Sequence, residues 1–400
     1  MNSQPTKPLV LHLAVDYPNV YRPENTLAVR NFVKANADLD YLVIALTRTA
    51  NPFRAARADG DGLGDNRVVS MRYWGFPFGV LLALSMFIVA LRIHREIKRR
   101  GIAPAVVHGH KLTFEGLASW WLARWLRIPL VLSVRGEAES KILRFKLHYQ
   151  PLLQRMLSDA ARIYYVSAWF KPLLNQRFKI TTDKQRLLPN FVASREPGPP
   201  VAPRPDSLLT VLDLNVYRKK GLDRLLPAFR DCLAQYPRAH LDIIGRGEPA
   251  VIAEVKALID KLGIAPNVTM LAAMPNSELQ SRLPSYAGMV LPSHNETFGM
   301  VYVESLLAGV PILHSKGTGI DGFVDFVQAR VAVNPLDQSS ICAGLQELLA
   351  RQLELRQWLI INRNRVAQEF DRHPYIKDYF ELANDTLQVS KLAGAPCKKE

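Results

Sequence analysis

Cysteine is scarce: the three in 400 residues, Cys232, Cys342 and Cys397, have no paired or metal-like spacing, which argues against a disulfide framework or structural zinc and for a reducing compartment. MNSQPTKPLVLHLAV offers neither a basic start nor a small-residue cleavage site, so no signal peptide is read and the cytoplasm is the expected location. Tyr73 to Leu91 carries no charge, but Gly75, Pro77 and Gly79 interrupt its front. The twelve residues left, Val80 to Leu91, fall short of the ~20 that cross a bilayer. No Asp-x-Asp pair follows a strand-like run, so no metal is expected.

Acidic residues are short in one half only. Residues 1–200 hold 29 Lys and Arg against 14 Asp and Glu, whereas 201–400 hold 22 of each, so the whole net charge of +15 belongs to the first half. A basic half implies an anionic partner: nucleic acid, a bilayer surface or a phosphorylated acceptor. The cations are scattered and no helix-turn-helix, ribonucleoprotein or zinc-finger pattern accompanies them, so nucleic acid is not expected. An anionic membrane surface fits better, because the apolar run continues into RIHREIKRRG with Arg92, Arg95, Lys98, Arg99 and Arg100. The apolar part reads equally as a core helix covering a sheet; the basic tail reads as surface.

What is present is an alternation of strand-like and helix-like runs. PLVLHLAV, DYLVIAL, RVVSM, PAVVHG, PLVLSV and RIYYVS are strands of the first half, with helices near 24–37, 80–100, 113–127, 147–160 and 168–177. LLTVLDL, HLDIIG, NVTML, GMVLPS, VPILH and RVAVN follow in the second, with helices near 221–236, 249–262, 276–284, 300–309 and 337–350. The expected fold class is α/β, two doubly wound domains over 1–192 and 207–370. Between them ASREPGPPVAPRPD, residues 193–206, holds five prolines and reads as the linker. HPYIKDYFELANDTL near the end is an amphipathic helix within 371–400.

The densest chemistry lies in SHNETFGMVYVESLLAGVPIL. A strand ending near Ser293, a turn Glu296-Thr297-Phe298-Gly299 and a helix from Met300 aim unpartnered N–H groups and a positive dipole end at one spot, where an anion fits. Gly299 lets a ligand approach the main chain, and Glu304 can accept from two vicinal hydroxyls. Phosphate plus diol describes a nucleotide sugar. Read singly, Glu296 is a favourable first-turn anion and Glu304 a helix-face residue, but VYVESLLAGVPIL surrounds Glu304 with apolar neighbours, and a buried carboxylate needs partners. RKKGLDRLLPAF places Lys219, Lys220 and Gly221 at a strand mouth, suited to a diphosphate or to a solvated loop. In the first half His108 and His110 end a strand, and Arg135 and Arg144 could grip an acceptor phosphate.

ETFGMVYVESLLAGVPIL resembles the E-x-F-G-x-x-x-x-E-A-x-A-x-G-x-P-V-I signature of retaining glycosyltransferases of family 4, with Ser305 and Leu307 in place of alanines. The resemblance implies the GT-B architecture of two Rossmann-like domains facing across a cleft, with a terminal helix that crosses back to the first. It implies a UDP- or GDP-linked sugar donor and no separate cofactor. Glu296 would lie beside the transferred sugar and Glu304 on the ribose, while the Phe298, Gly299 and Met300 backbone receives the diphosphate. Lys220 matches the lysine of G-R-L-x-x-x-K-G, but Asn215 stands where the arginine belongs and Leu214 where the glycine does, leaving Arg218 as its substitute. Gly245 and Gly247 resemble the family's strand-to-glycine turn, NVTMLAAMPNSEL its nucleobase loop, and PAVVHGHKL its D-V-x-H-x-H turn, which puts His110 beside Glu296 and Lys220 as catalytic candidates. At the H-G-x-D turn Arg135 replaces histidine.

The expected function is retaining, metal-independent hexosyl transfer to a glycan or lipid-linked acceptor in bacterial polysaccharide or lipopolysaccharide synthesis. The protein would be peripheral on the cytoplasmic face of the inner membrane, touching it through Arg95, Lys98, Arg99, Arg100, Arg135 and Arg144. The rival readings are a nucleotide-sugar epimerase, for which the first half supplies Glu115, Glu137 and Glu139, and a non-catalytic membrane or nucleic-acid adaptor.

Overall fold

A computed structural model describes residues 7–76, 79–192 and 203–393. The chain forms two compact units: Met1–Val166 with Phe170–Phe191 and Asp371–Glu400, and Ser167–Trp169 with Val192–Phe370.

The first unit carries β1 (Leu9–Ala14), α1 (Ala28–Ala35), β2 (Asp40–Thr49), β3 (Ala56–Asp59), β4 (Val68–Trp74), α2 (Leu82–Arg100), β5 (Val106–Gly109), α3 (Glu115–Leu126), β6 (Leu130–Val134), α4 (Glu137–Phe145), α5 (Gln150–Asp159), β7 (Arg162–Tyr165), α6 (Phe170–Arg177) and β8 (Gln185–Leu187). Its sheet runs β3-β4-β2-β1-β5-β6-β7-β8, parallel except for the β3–β4 pair. LVLHLA and VVHG are almost wholly buried, as strands covered on both faces must be. In α2 the buried positions Leu82, Met86, Val89, Ile93 and Ile97 recur at helical spacing, so most of the long apolar run covers the sheet. Chain order reverses between β1 and β5. Their register sets His12 opposite His108.

The second unit carries β9 (Ser207–Val211), α7 (Leu222–Cys232), β10 (His240–Gly245), α8 (Pro249–Leu262), β11 (Val268–Ala272), α9 (Asn276–Arg282), β12 (Gly288–Leu291), α10 (Met300–Leu307), β13 (Ile312–Ser315), β14 (Arg330–Val333), α11 (Gln338–Ala350), α12 (Gln352–Ile361) and α13 (Arg363–Glu369). The sheet order is β11-β10-β9-β12-β13-β14, parallel throughout, with the reversal between β9 and β12. In such sheets the crevice beyond the strand ends at the reversal is where ligands bind. The last helix, α14 (His373–Ala393), belongs to the first unit, where Tyr379 and Ala383 enter the core beside Val10, Phe32 and Val106.

Several elements escape the periodicity reading. β3 is ARAD and β8 is QRL, short edge strands with too few apolar positions to alternate. The helix expected near 147–160 starts at Gln150, where Pro151 occupies the first turn, and a separate helix, α4, precedes it. Of the proline-rich linker, residues 193–202 lie outside the described residues.

Candidate functional site

At the reversal point of the second sheet the segments after β9 and β12 converge. The turn after β9 ends on Gly221 at φ 75°, where a Cβ would meet the Pro292 carbonyl oxygen at 2.1 Å, so only glycine lets this turn close against the end of β12. That contact sets Lys220 against Glu296, and ammonium and carboxylate form an ion pair of largely covered side chains. Glu296 is clamped through its backbone: its N–H donates to Thr318 Oγ1 (2.9 Å), and its carbonyl accepts from that hydroxyl (3.0 Å) and from Gly319 N–H (3.0 Å).

Gly299 caps α10 at φ 79°, and a Cβ there would fall 2.4 Å from the Tyr302 ring. Tyr302 is buried and its hydroxyl donates to the Leu291 carbonyl (2.5 Å), tying α10 to β12. Phe298 is wholly buried against Phe323, so only its main chain can serve a ligand, together with Gly299 and Met300, the first residue of α10. Glu304, one turn on, is 8% exposed, and its Oε1 accepts from the Asn276 amide (3.0 Å). Burial pushes its carboxyl up, against the opposing pull of that amide.

Other expected donor residues separate. The guanidinium of Arg218, the expected substitute for the missing arginine, pairs with Glu254 on α8, and its Nε donates to the Tyr217 hydroxyl (3.0 Å). Asn215 accepts from Glu248 N–H (2.8 Å), so it orders the turn between β10 and α8. Gly245 is required by packing, since a Cβ would lie 2.1 Å from the Leu212 carbonyl oxygen.

The reversal point of the first sheet is built differently. His12, His108 and His110 are buried and stacked, with centroids 4.0 Å apart for His108–His110 and 5.2 Å for His12–His110. Their ring nitrogens lie within 4.8 Å of one another. Both His108 nitrogens are engaged, by the Tyr379 hydroxyl (2.9 Å) and Ser133 Oγ (2.8 Å), and His12 Nδ1 is engaged by His110 Nε2, so these ring nitrogens are already spent on one another and on hydroxyls. A hydrogen-bonded stack describes this better than a ligand set. Burial holds all three imidazoles neutral, His12 pushed down to about 3.

His110 shares a hydrogen bond with His12 (3.1 Å) and lines a small cavity with Phe32, Ser133 and Arg135. Arg135 is buried, not a surface anchor, and its Nε donates to the His110 carbonyl (3.1 Å). Glu115 and Glu139 are fully buried and accept from Val15 and Leu112 N–H (2.9 and 3.0 Å). Burial raises both carboxyls, Glu115 to about 7. On the basic tail of α2, Arg99 and Arg100 pair with the buried Glu96, and Arg100 also with Asp59. Arg95 and Lys98 on α2 and Arg144 on α4 are exposed. Sequence alone points to none of Asn276, His12 or the Thr318-Gly319 clamp, although Asn276 falls within NVTMLAAMPNSEL and His12 within the strand PLVLHLAV.

Two family models match the chain: Glycosyltransferase Family 4 over residues 28–196 and Glycosyl transferases group 1 over 205–365. Among curated relatives, a D-inositol 3-phosphate glycosyltransferase of Segniliparus rotundus is 30% identical over 139 residues, 34% of this chain and 31% of that protein. The alpha-monoglucosyldiacylglycerol synthase of Acholeplasma laidlawii is 24% identical over 187 residues, 46% and 44% of the two. The chain thus spans about a third to under half of the length of these relatives. Two solved structures share the fold over nearly all of the chain. The sucrose-phosphate synthase of Thermosynechococcus elongatus has a TM-score of 0.69 at 17% identity, covering 96% of this chain and 100% of that one. Anabaena HepE in complex with UDP has 0.68 at 14% identity, with the same coverage. The chain belongs to the group 1, family 4 glycosyltransferases and has their GT-B fold.

Proposed function

We propose that the protein is a retaining, metal-independent glycosyltransferase that moves a hexosyl group from a UDP- or GDP-linked donor to a hydroxyl of an anionic, membrane-linked acceptor in bacterial polysaccharide or lipopolysaccharide synthesis. The single observation that carries this is the Lys220–Glu296 ion pair at the reversal point of the second sheet, beside the start of α10 and one turn from buried Glu304. Lysine and the helix start supply positive charge for a diphosphate, and Glu304 an acceptor for the ribose hydroxyls.

In the proposed step the acceptor oxygen bonds to the anomeric carbon as the bond from that carbon to the diphosphate oxygen breaks. The hydroxyl proton leaves with the diphosphate from the same face. Lys220 and the α10 N–H groups take up the charge that develops on the leaving group, and Glu296, released from Lys220, orients the sugar. Of the three carboxylates the epimerase reading needs, Glu115 and Glu139 are interior anchors of the first unit, which leaves it only the half-buried Glu137.

The test is transfer from UDP- and GDP-hexoses to a polyprenyl-diphosphate-linked acceptor, read as acceptor-dependent nucleoside diphosphate release. Release that requires the acceptor and disappears in Glu296→Ala with an unchanged melting temperature supports the assignment. Sugar interconversion without an acceptor overturns it.

A further inference from the structure

Of the ten large apolar side chains exposed among the described residues of the first unit, six lie on one rim, apart from Val20, Leu27, Leu63 and Leu173. Phe145 and Leu147, 74% and 59% exposed, stand at the end of α4 and in the turn after it, and Val80, Leu81 and Leu84, each about half exposed, at the start of α2. The two segments are tied together: the Lys146 ammonium donates to the Gly79 carbonyl (2.6 Å), and Ala83 N–H donates to the Tyr149 hydroxyl (3.2 Å). Phe76, three residues before Gly79, packs its ring against Trp74 (4.5 Å between centroids) and accepts at its carbonyl from Arg48 (2.9 Å). The Trp74 indole donates to Ala50, next to the turn bearing Phe53, 96% exposed. These side chains are not needed inside, because the sheet is already covered by the other face of α2.

Charge on this rim has one sign. Arg48, Arg54, Arg144 and Lys146 stand on the segments that form it, and the described residues 48–56, 72–76, 79–91 and 142–147 include no Asp or Glu. The opposite end of α2 differs: Glu96 and Asp59 pair with Arg99 and Arg100, and the exposed cations Arg92, Arg95 and Lys98 have no exposed large apolar side chain between Phe87 and Arg100 beside them. Apolar tips and rings interleaved with uncompensated cations match the headgroup layer of an anionic bilayer, into which leucine and phenylalanine insert while Arg and Lys stay at phosphate depth. Nucleic acid offers nothing to the leucines, and a protein's apolar patch offers nothing to the cations.

We propose that the rim from Phe53 through Val80–Leu84 to Phe145–Leu147 is the surface on which the protein docks to an anionic lipid bilayer. The rim lies at the C-terminal ends of β2, β4 and β6, the edge that also carries His110 and Lys111. Docking therefore brings this edge to the lipid. The proposal rests on the lipid-linked acceptor reading only for its use in transfer, and vesicle binding measured without acceptor or donor fails or succeeds independently of turnover.

The experiment is co-sedimentation of the full chain with phosphatidylcholine vesicles containing phosphatidylglycerol and with phosphatidylcholine alone. Wild type is expected to prefer the anionic vesicles by at least about tenfold, Phe145→Ser/Leu147→Ser to bind them about tenfold more weakly, and Arg54→Ser about fivefold more weakly. Arg95→Ser/Lys98→Ser, which removes two exposed cations from the other part of α2, is expected to bind like wild type. Equal binding to both vesicles, or a folded Phe145→Ser/Leu147→Ser variant that binds like wild type, overturns the proposal. So does sedimentation velocity showing that this variant instead dissolves a dimer, which would assign the rim to a second copy of the chain.

Discussion

The two sheets reverse their strand order in the same way, and only the first lines its reversal point with a sealed layer of ionisable groups. Beyond β9 and β12 the charges are a partly covered pair, Lys220 with Glu296, which a ligand can separate. Beyond β1 and β5 a comparable pair, Lys111 with Asp16 (2.7 Å), accompanies groups that are sealed: three neutral imidazoles, Arg135 on a carbonyl, Glu115 and Glu139 on backbone N–H groups. A doubly wound sheet provides the crevice, and the side chains placed around it decide what it can hold.

The largest expected effect breaks the second site. Lys220→Ala should lower kcat by about 10²–10³, roughly 3–4 kcal/mol, as for loss of a group that stabilises developing charge, with the melting temperature nearly unchanged. If the first site were the working one, turnover would survive.

Next, the sealed character of the first site is measurable as pH dependence. Glu115 has its folded-state pKa raised by burial to about 7 from 4.5, so between those values the folded protein holds a proton that the unfolded chain has released. Stability from this group is therefore lost as pH rises from about 4.5 to 7, about 3 kcal/mol in all, and changes no further above that. Glu115→Gln should remove this component, so that denaturant unfolding of wild type and variant diverges across the window. An identical slope would show Glu115 to be solvated.

Glu304→Ala should raise the donor KM by about tenfold and leave kcat within a few-fold, since one charged hydrogen-bonding group to the ribose is lost. The smallest effect is expected at Arg218→Ala, less than about twofold on either constant, because the guanidinium is spent on Glu254 at the surface. A large loss there would mean that Arg218 leaves Glu254 to grip the diphosphate.

The same contrast explains what could be read in advance. The turn from Glu296 to Gly299 and the helix after it are local, and their glycine and apolar pattern announce them; the burial of Glu304 followed from its neighbours. The pairing of Lys220 with Glu296 spans 76 residues, and that of Glu304 with Asn276 spans 28, so both depend on strand order rather than on spacing. His12 gave no sign, because only the β1–β5 register sets it beside His108. Arg99 and Arg100 were open to a better reading, since Glu96 stands three and four residues before them on one helix face.

The most direct test of the central claim is a thermal-shift measurement of the full chain with nucleoside diphosphates, comparing wild type with Lys220→Ala. At a hundred times its dissociation constant, UDP or GDP should stabilise wild type by about 2.7 kcal/mol and leave Lys220→Ala almost unmoved. Equal stabilisation of both, or none of wild type by any nucleoside diphosphate, would contradict the claim that the second unit's reversal point holds the sugar donor.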